Sequence, residues 1–367
     1  MNKLEEIFRS KTVLITGHTG FKGSWLSLWM TKLGAKVVGL SVDIPTNPSN
    51  FESNQMKDLI EDHRVDICDY EAVKQIITES QPDFIFHLAA QPLVKESYIE
   101  PLKTLKVNAI GSSNLLESLT DIKKKVVVTM ITSDKAYDNV EWIWGYRESD
   151  RLGGKDPYSA SKGMAELAIK SYVHSFFQSS DNEIRLGIAR AGNVIGGGDW
   201  AKYRIIPDCM IAWSKEDSVK LRNPNSTRPW QHVFEPLSGY IALAMALYED
   251  KKFHGEAYNF GPNADQDYTV NELIKEMSKY WNNVDWENEK EAKGAVHEAG
   301  LLKLNCDKAL AELNWVPTLD IQETVMMTVE WYKKFYQNNQ TSMRDFSLNQ
   351  IDQYMSLATK KEANWML

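Results

Sequence analysis

The chain has 367 residues, 43% apolar and 25% charged, which is enough to bury a substantial core and too many for one minimal domain. Its 50 acidic and 42 basic residues leave a formal charge of −8, arguing against a nucleic-acid partner or an anionic membrane surface. Cys68, Cys209 and Cys306 lie 141 and 97 residues apart, so neither a disulfide framework nor a metal site is expected, and a reducing, cytoplasmic setting is. The opening MNKLEEIFRSKTVLITG is expected to be neither signal peptide nor anchor, and no apolar run reaches membrane-spanning length.

In chain order, Thr12–Thr16 is a β-branched run that ends at Gly17, and Phe21–Leu33 repeats apolar residues at helical spacing. Lys36–Ser41 is strand-like, Val65–Ile67 is short and extended, Tyr70–Ser80 is helical and Phe84–Ala89 is strand-like again. Leu105–Leu119 and Tyr158–Phe177 read as helices around the strands Val126–Ser133 and Ile184–Arg190. This alternation predicts an α/β fold, a Rossmann-type doubly wound parallel sheet over residues 1–190 with a smaller, mixed C-terminal substrate domain.

After Arg190 the rhythm breaks at GNVIGGGD (Gly192–Asp199) and NPNSTRPWQ (Asn223–Gln231). Helices are predicted at Pro207–Ser214, Leu237–Tyr248, Thr269–Trp281 and Thr318–Phe335, with a strand at Ala257–Phe260. Segments 233–260 and 318–336 are expected to rejoin the first unit. Segments 191–232 and 261–317 are expected to hold substrate, and 337–367 reads as a polar tail.

Gly17, His18, Thr19, Gly20, Phe21, Lys22 and Gly23 form a GxxGxxG turn between the first strand and the first helix. Glycines there let a dinucleotide pyrophosphate approach the N–H groups at the helix start, and Gly23 lets the helix pack on the sheet. Asp43 or Ser41, at the end of the second strand, is placed to accept from the adenosine ribose; with no arginine there, NAD is favoured over NADP. Asp66 and Ile67 are placed to bracket the adenine, and Leu88, Ala89 and Ala90 to pass under the nicotinamide side.

Tyr158 and Lys162 form a YxxxK pair one helical turn apart on one face. A tyrosine needs help to act as a base near neutrality, and a cationic lysine and a positive nicotinamide ring both favour its phenolate. Ser133, at the end of a strand 25 residues upstream, is placed to hold the substrate hydroxyl that Tyr158 deprotonates.

Whole stretches extend this pattern: TGHTGFKGSWLSLW (Thr16–Trp29), TSDKAYDN (Thr132–Asn139), GGKDPYSASKGMAE (Gly153–Glu166), ARAGNVIGGGDW (Ala189–Trp200) and RPWQHVFEPLSGY (Arg228–Tyr240). From about Thr12 to Phe335 the chain resembles the CDP-glucose 4,6-dehydratases of the extended short-chain dehydrogenase/reductase (NAD-dependent epimerase/dehydratase) family. The resemblance implies a hydro-lyase that turns CDP-D-glucose into CDP-4-dehydro-6-deoxy-D-glucose for bacterial surface deoxysugars. C4 oxidation, loss of water across C5–C6 and return of the hydride to C6 would complete one turnover. It implies Asp134 as the acid for the departing C6 hydroxyl, its pKa raised by a dry pocket. Lys135 stands where the related dTDP-glucose enzymes carry glutamate, and it would act neutral, through water, or by stabilising the enolate. Asn108 joins the implied cofactor set and Gln91 the substrate set. Family members pair across a two-fold axis, so a homodimer or homotetramer is expected.

The substrate pyrophosphate requires locally placed arginines, and Arg190, Arg204, Arg222 and Arg228 fall in or beside the irregular region, with Asn193 and His232 as further candidates. The scattered histidines give no metal-ligand spacing. A sugar-nucleotide epimerase shares the glycine turn, Tyr158, Lys162 and the first oxidation, and the Asp134–Lys135 pair discriminates against it; a dehydratase for another nucleotide-linked hexose and an idle NAD-sensing scaffold are the other readings.

Overall fold

The computed structural model describes residues 3–179, 181–221, 224–263, 266, 268–288, 301–337 and 342–366. Seven strands form one sheet: β1 (Thr12–Thr16), β2 (Lys36–Ser41), β3 (Glu61–Arg64), β4 (Phe84–His87), β5 (Val126–Ile131), β6 (Ile184–Ala191) and β7 (Ala257–Phe260). Their order is β7-β6-β5-β4-β1-β2-β3 and every pairing is parallel. All six residues of Val-rich β5 are buried, as expected of a central strand covered on both faces.

Alternate side chains feed two cores. Leu14, Ile85, Val128, Met130, Leu186 and Ile188 face one layer, where Val73 and Ile77 of α2 (Tyr70–Ser80) meet Leu115 and Leu116 of α4 (Gly111–Glu117) and Ile169 of α5 (Pro157–Tyr172). Val13, Ile15, Phe84, Phe86 and Val127 face the other, against Trp25 and Trp29 of α1 (Phe21–Lys32) and Leu237 and Ile241 of α7 (Phe234–Glu249). Helix α4 is preceded by α3 (Pro101–Leu105) and one wide turn, Lys106–Ile110. Among the described residues, the irregular region contributes α6 (Ile205–Trp213) and three two-stranded ribbons, followed by α8 (Ile321–Gln337).

Two differences from the sequence reading have clear causes. The third strand is Glu61–Arg64 rather than Val65–Ile67; as the sheet edge it is largely solvent-facing and carries no apolar pattern. The polar stretch after Gln337 contains α9 (Met343–Lys360), which buries Ile351, Tyr354 and Ala358 along one stripe. Tyr354 packs edge-on to Trp29 at 5.7 Å, Trp331 donates to Ser347 Oγ at 2.9 Å, and Gln350 donates to the Met327 carbonyl at 2.8 Å.

Candidate active site

The strand order reverses between β1 and β4, and a crevice opens at the carboxyl ends of such a sheet. A cleft of about 1790 Å³ lies there, lined by residues that directly follow β1 to β6: Gly17, Val42, Val65, Leu88, Thr132 and Gly192. Single-ligand pockets run to about 1,000 Å³, so this one has room for two large ligands.

The glycine turn is shaped by packing as well as by access. Gly17 has φ +73°, and a Cβ there would lie 2.7 Å from the Ala89 main-chain nitrogen; one on Gly23 would lie 2.1 Å from the Gly17 carbonyl oxygen. Gly20 caps α1 without a side-chain hydrogen bond, and the first turn holds no acidic residue. Its N–H groups therefore face the cleft without an intramolecular side-chain acceptor, an arrangement suited to a pyrophosphate. Thr19 Oγ1 donates to the Asp43 carbonyl at 2.6 Å, and the Thr19 N–H donates to Ser41 Oγ at 3.4 Å, tying the turn to the end of β2. Thr16 fixes the neighbouring loop by accepting from the Ala89 N–H at 3.1 Å and bonding the His87 ring at 2.8 Å. Burial drives the His87 pKa down to about 3, so this ring is a neutral structural group.

Most of the expected cofactor residues line the cleft: Gly17, Thr19, Gly20, Phe21, Lys22, Gly23, Asp43, Asp66, Ile67, Leu88, Ala89 and Ala90. Two do not. The His18 side chain is fully buried behind the turn, bonded to Asp62 at 2.8 Å and edge-on to Phe51. Asn108 braces the wall instead, donating to Ser161 Oγ at 2.8 Å and to the Gln91 carbonyl at 3.1 Å.

Ser133, Asp134, Lys135, Tyr158 and Lys162 all line the cleft. Asp156 caps α5 by accepting from the Ser159 N–H at 3.0 Å, and Pro157 opens the helix, where no N–H is needed, so Tyr158 lies in its first turn and lines the site. Ser133 Oγ donates to Asp134 Oδ1 at 2.8 Å and accepts from the Lys135 N–H at 3.2 Å. Asp134 is 4% exposed, and burial raises its pKa against the pull of Lys135, Ser133 and Lys22. A Cβ on Gly192 would lie 2.9 Å from Asp134 Oδ2, so only glycine leaves the carboxyl its place.

Burial also pushes the Tyr158 phenol up to about 12, with the Ser133 hydrogen bond and Arg204 opposing and Asp134 adding to the rise. The Lys162 ammonium, 5.9 Å from the Tyr158 ring centre, is pushed down to about 8 by burial. Arg204 and Ser133 are thus further groups that ease Tyr158 ionisation, beyond the lysine and nicotinamide ring expected from the sequence.

The expected substrate residues divide. Asn193, Arg204 and Arg228 line the cleft; Arg204 is held by Asp199 Oδ2 at 2.8 Å, and Arg228 donates to the Thr227 carbonyl at 2.8 Å. Arg190 is a correction. It is 0% exposed and forks onto Glu166, donating from Nε at 2.7 Å and from its terminal nitrogen to the second oxygen, and it also donates to the Tyr137 hydroxyl at 2.6 Å. Gln91 is turned into its own loop, donating to Thr104 Oγ1 at 2.8 Å and accepting from the Leu93 N–H at 2.5 Å. His232 is fully buried against Phe234, and Arg222 lies outside the described residues.

Sequence reasoning missed a buried chain behind the site. Thr132 Oγ1 donates to Glu166 Oε1 at 2.7 Å, Arg190 bridges Glu166 to Tyr137, and the Tyr137 hydroxyl donates to Asn259 Oδ1 at 2.8 Å. It connects the end of β5, helix α5 one turn beyond Lys162, β6 and β7. The available signal was Glu166 at i+4 from Lys162 on the reacting face of α5. No grouping of three His, Cys, Asp or Glu suited to a metal occurs among the described residues.

Residues 14–328 match the family model described as GDP-mannose 4,6 dehydratase. The chain is 45% identical over 364 residues to the CDP-glucose 4,6-dehydratase of Salmonella typhimurium, covering 97% of this chain and 99% of that one. It is 25% identical to the dTDP-glucose 4,6-dehydratase of Shigella flexneri, over 87% and 92% of the two chains. Among solved structures, the dTDP-glucose 4,6-dehydratase of Bacillus anthracis in complex with NAD shares the fold at TM-score 0.71 and 21% identity, covering 89% of this chain and 97% of that one. With the cleft, the glycine turn and the Ser133–Tyr158–Lys162 group in place, the chain belongs to the NAD-dependent epimerase/dehydratase family of extended short-chain dehydrogenases, on its CDP-glucose 4,6-dehydratase branch.

Proposed function

We propose that this chain is an NAD-dependent CDP-glucose 4,6-dehydratase, forming CDP-4-dehydro-6-deoxy-D-glucose and water from CDP-D-glucose in a route to bacterial surface deoxysugars. The observation that carries the reading is a buried acid, Asp134, beside the Ser133–Tyr158 oxidation pair. An epimerase needs the pair without the acid.

Gly17, Gly20 and the first turn of α1 would hold the NAD pyrophosphate, Asp43 the ribose, and Tyr158 and Lys162 the nicotinamide ribose. When bound, NAD supplies a hydride acceptor for C4 and the hydride returned at C6. Ser133 holds the C4 hydroxyl and Tyr158 takes its proton; the positive ring adds to Arg204 and Ser133 in easing that ionisation. The C4 ketone acidifies the C5 hydrogen. The C5 proton passes to a water molecule in the cleft while Lys135, lining the same wall, stabilises the enolate charge, and Asp134 gives its proton to the C6 hydroxyl, which departs as water. Arg204, Arg228 and Asn193 take the substrate's pyrophosphate and sugar oxygens.

The protein acts in the cytoplasm as a homodimer or homotetramer. No described helix is long and apolar enough to cross a membrane. The helix Val94–Ile99 and α3 pack on α5, and together they expose Ile99, Leu102 and Leu167 at 69%, 80% and 60%, a surface suited to a second copy. Turnover in deuterated water tests the chemistry. Elimination and reprotonation place deuterium at C5 of the product, whereas an epimer with protium at C5 would overturn the reading.

A further inference from the structure

Lys22 links the cofactor turn to the reacting residues. It lies in the first turn of α1 within the GxxGxxG sequence, yet its ammonium runs inward, 3.4 Å from the Tyr240 hydroxyl and 5.9 Å from that ring's centre. Tyr240 is fully buried on α7 and feels the fields of Asp134 and Tyr158. Burial pushes the Lys22 ammonium down to about 8, Arg204 and Lys162 lowering it further and Asp134 raising it, which leaves it mostly cationic at neutral pH. The nearby carboxylates are otherwise engaged: Glu166 holds Arg190, Asp199 holds Arg204, and Asp134 accepts from Ser133. Neither Lys22 nor Lys162 has a carboxylate of a described residue within ion-pair distance, so two ammonium groups give this end of the cleft a surplus of positive charge.

We propose that Lys22 is a positioning residue for charge, which sets the redox balance of the bound nicotinamide by disfavouring its cationic oxidised ring relative to the neutral reduced one. The inference rests on the NAD reading above. In the first step the C4–H bond breaks, its electron pair and hydrogen pass to the ring, the hydroxyl proton passes to Tyr158, and the sugar is oxidised as the ring is reduced. A fixed cation favours that direction because the step removes the ring's positive charge. A role confined to phosphate anchoring would leave the ammonium on the turn, whereas here it is carried under Tyr240 toward Asp134.

Fluorescence titration of purified protein with NADH, and its displacement by NAD, gives the two dissociation constants, whose ratio fixes the potential of the bound couple. Lys22→Met is expected to tighten NAD relative to NADH by about tenfold, equivalent to a fall of about 30 mV for two electrons. Lys22→Gln, which can still bond the Tyr240 hydroxyl, should shift the ratio likewise, and Lys22→Arg should preserve it. Equal weakening of both nucleotides in Lys22→Met and Lys22→Gln would overturn the proposal in favour of phosphate anchoring, and a shifted ratio in Lys22→Arg would overturn it in favour of sterics. Failure of the wild type to bind either nucleotide would instead sink the NAD reading itself.

Discussion

Replacing Arg190 with methionine separates a structural arginine from a substrate ligand. The side chain is 0% exposed and forks onto Glu166, which is equally buried. Methionine fills much of the volume but leaves the Glu166 carboxylate and the Tyr137 hydroxyl without their donor. Breaking a buried ion pair from one side costs about 3–5 kcal/mol. For a chain of 367 residues the unfolding entropy is about 0.8 kcal/mol/K, so Tm should fall by about 4–6 °C. Calorimetry at neutral pH measures this directly, with KM for CDP-glucose measured in parallel below the transition. Arg204→Met should differ: its guanidinium is partly exposed and its buried partner Asp199 keeps the Ala201 N–H as a donor, so Tm should fall less than in Arg190→Met while KM rises at least tenfold. An Arg190→Met protein with unchanged Tm and a raised KM would refute this reasoning and return Arg190 to the substrate.

Asp134→Asn keeps the hydrogen bond from Ser133 but removes the proton donor. C4 oxidation should persist, seen as reduced nicotinamide accumulating at 340 nm, while elimination falls by about 10²–10⁴; equal elimination rates in mutant and wild type would contradict the role. Glu235 is fully buried and accepts from the Thr318 and Leu319 N–H groups and the Tyr354 hydroxyl, and burial raises its pKa to about 7 from 4.5. Between those values the folded chain binds more protons than the unfolded one, so its contribution, full below pH 4.5, is lost as pH rises through 7. The amount is about 3 kcal/mol. Glu235→Gln should flatten that part of the stability profile in urea melts, and an unchanged slope would count against it.

Much of the fold was legible because parallel strands buried on both faces leave unbroken apolar runs, such as Val126–Ile131, between helices with a clear stripe. The exposed edge strand Glu61–Arg64 leaves no such run. Helix α9 was hidden because polar residues outnumber its buried stripe, although Ile351, Tyr354 and Ala358 fall at i, i+3 and i+7. In the site, local motifs were readable wherever chemistry and backbone geometry demand the same residues, as at Gly17 to Gly23 and Tyr158 to Lys162. The arginines were not, since residue type cannot tell a guanidinium facing a cleft from one facing a buried carboxylate. Only the pairing of α5 with β6 separates Arg190 from Arg204. His18 and Asn108 show the same limit from within a correctly placed motif, because alternate positions of a tight turn or helix point away from the cleft.

The most direct test of the account is product analysis after separate incubations with CDP-, dTDP- and GDP-linked glucose or mannose. A 4-keto-6-deoxy product with its alkaline absorbance, formed at least a hundredfold faster from CDP-glucose than from the others, is the predicted result. Recovery of a C4 epimer with its C6 hydroxyl intact would contradict the dehydratase reading, and an equal or greater rate with another nucleotide would contradict the choice of substrate.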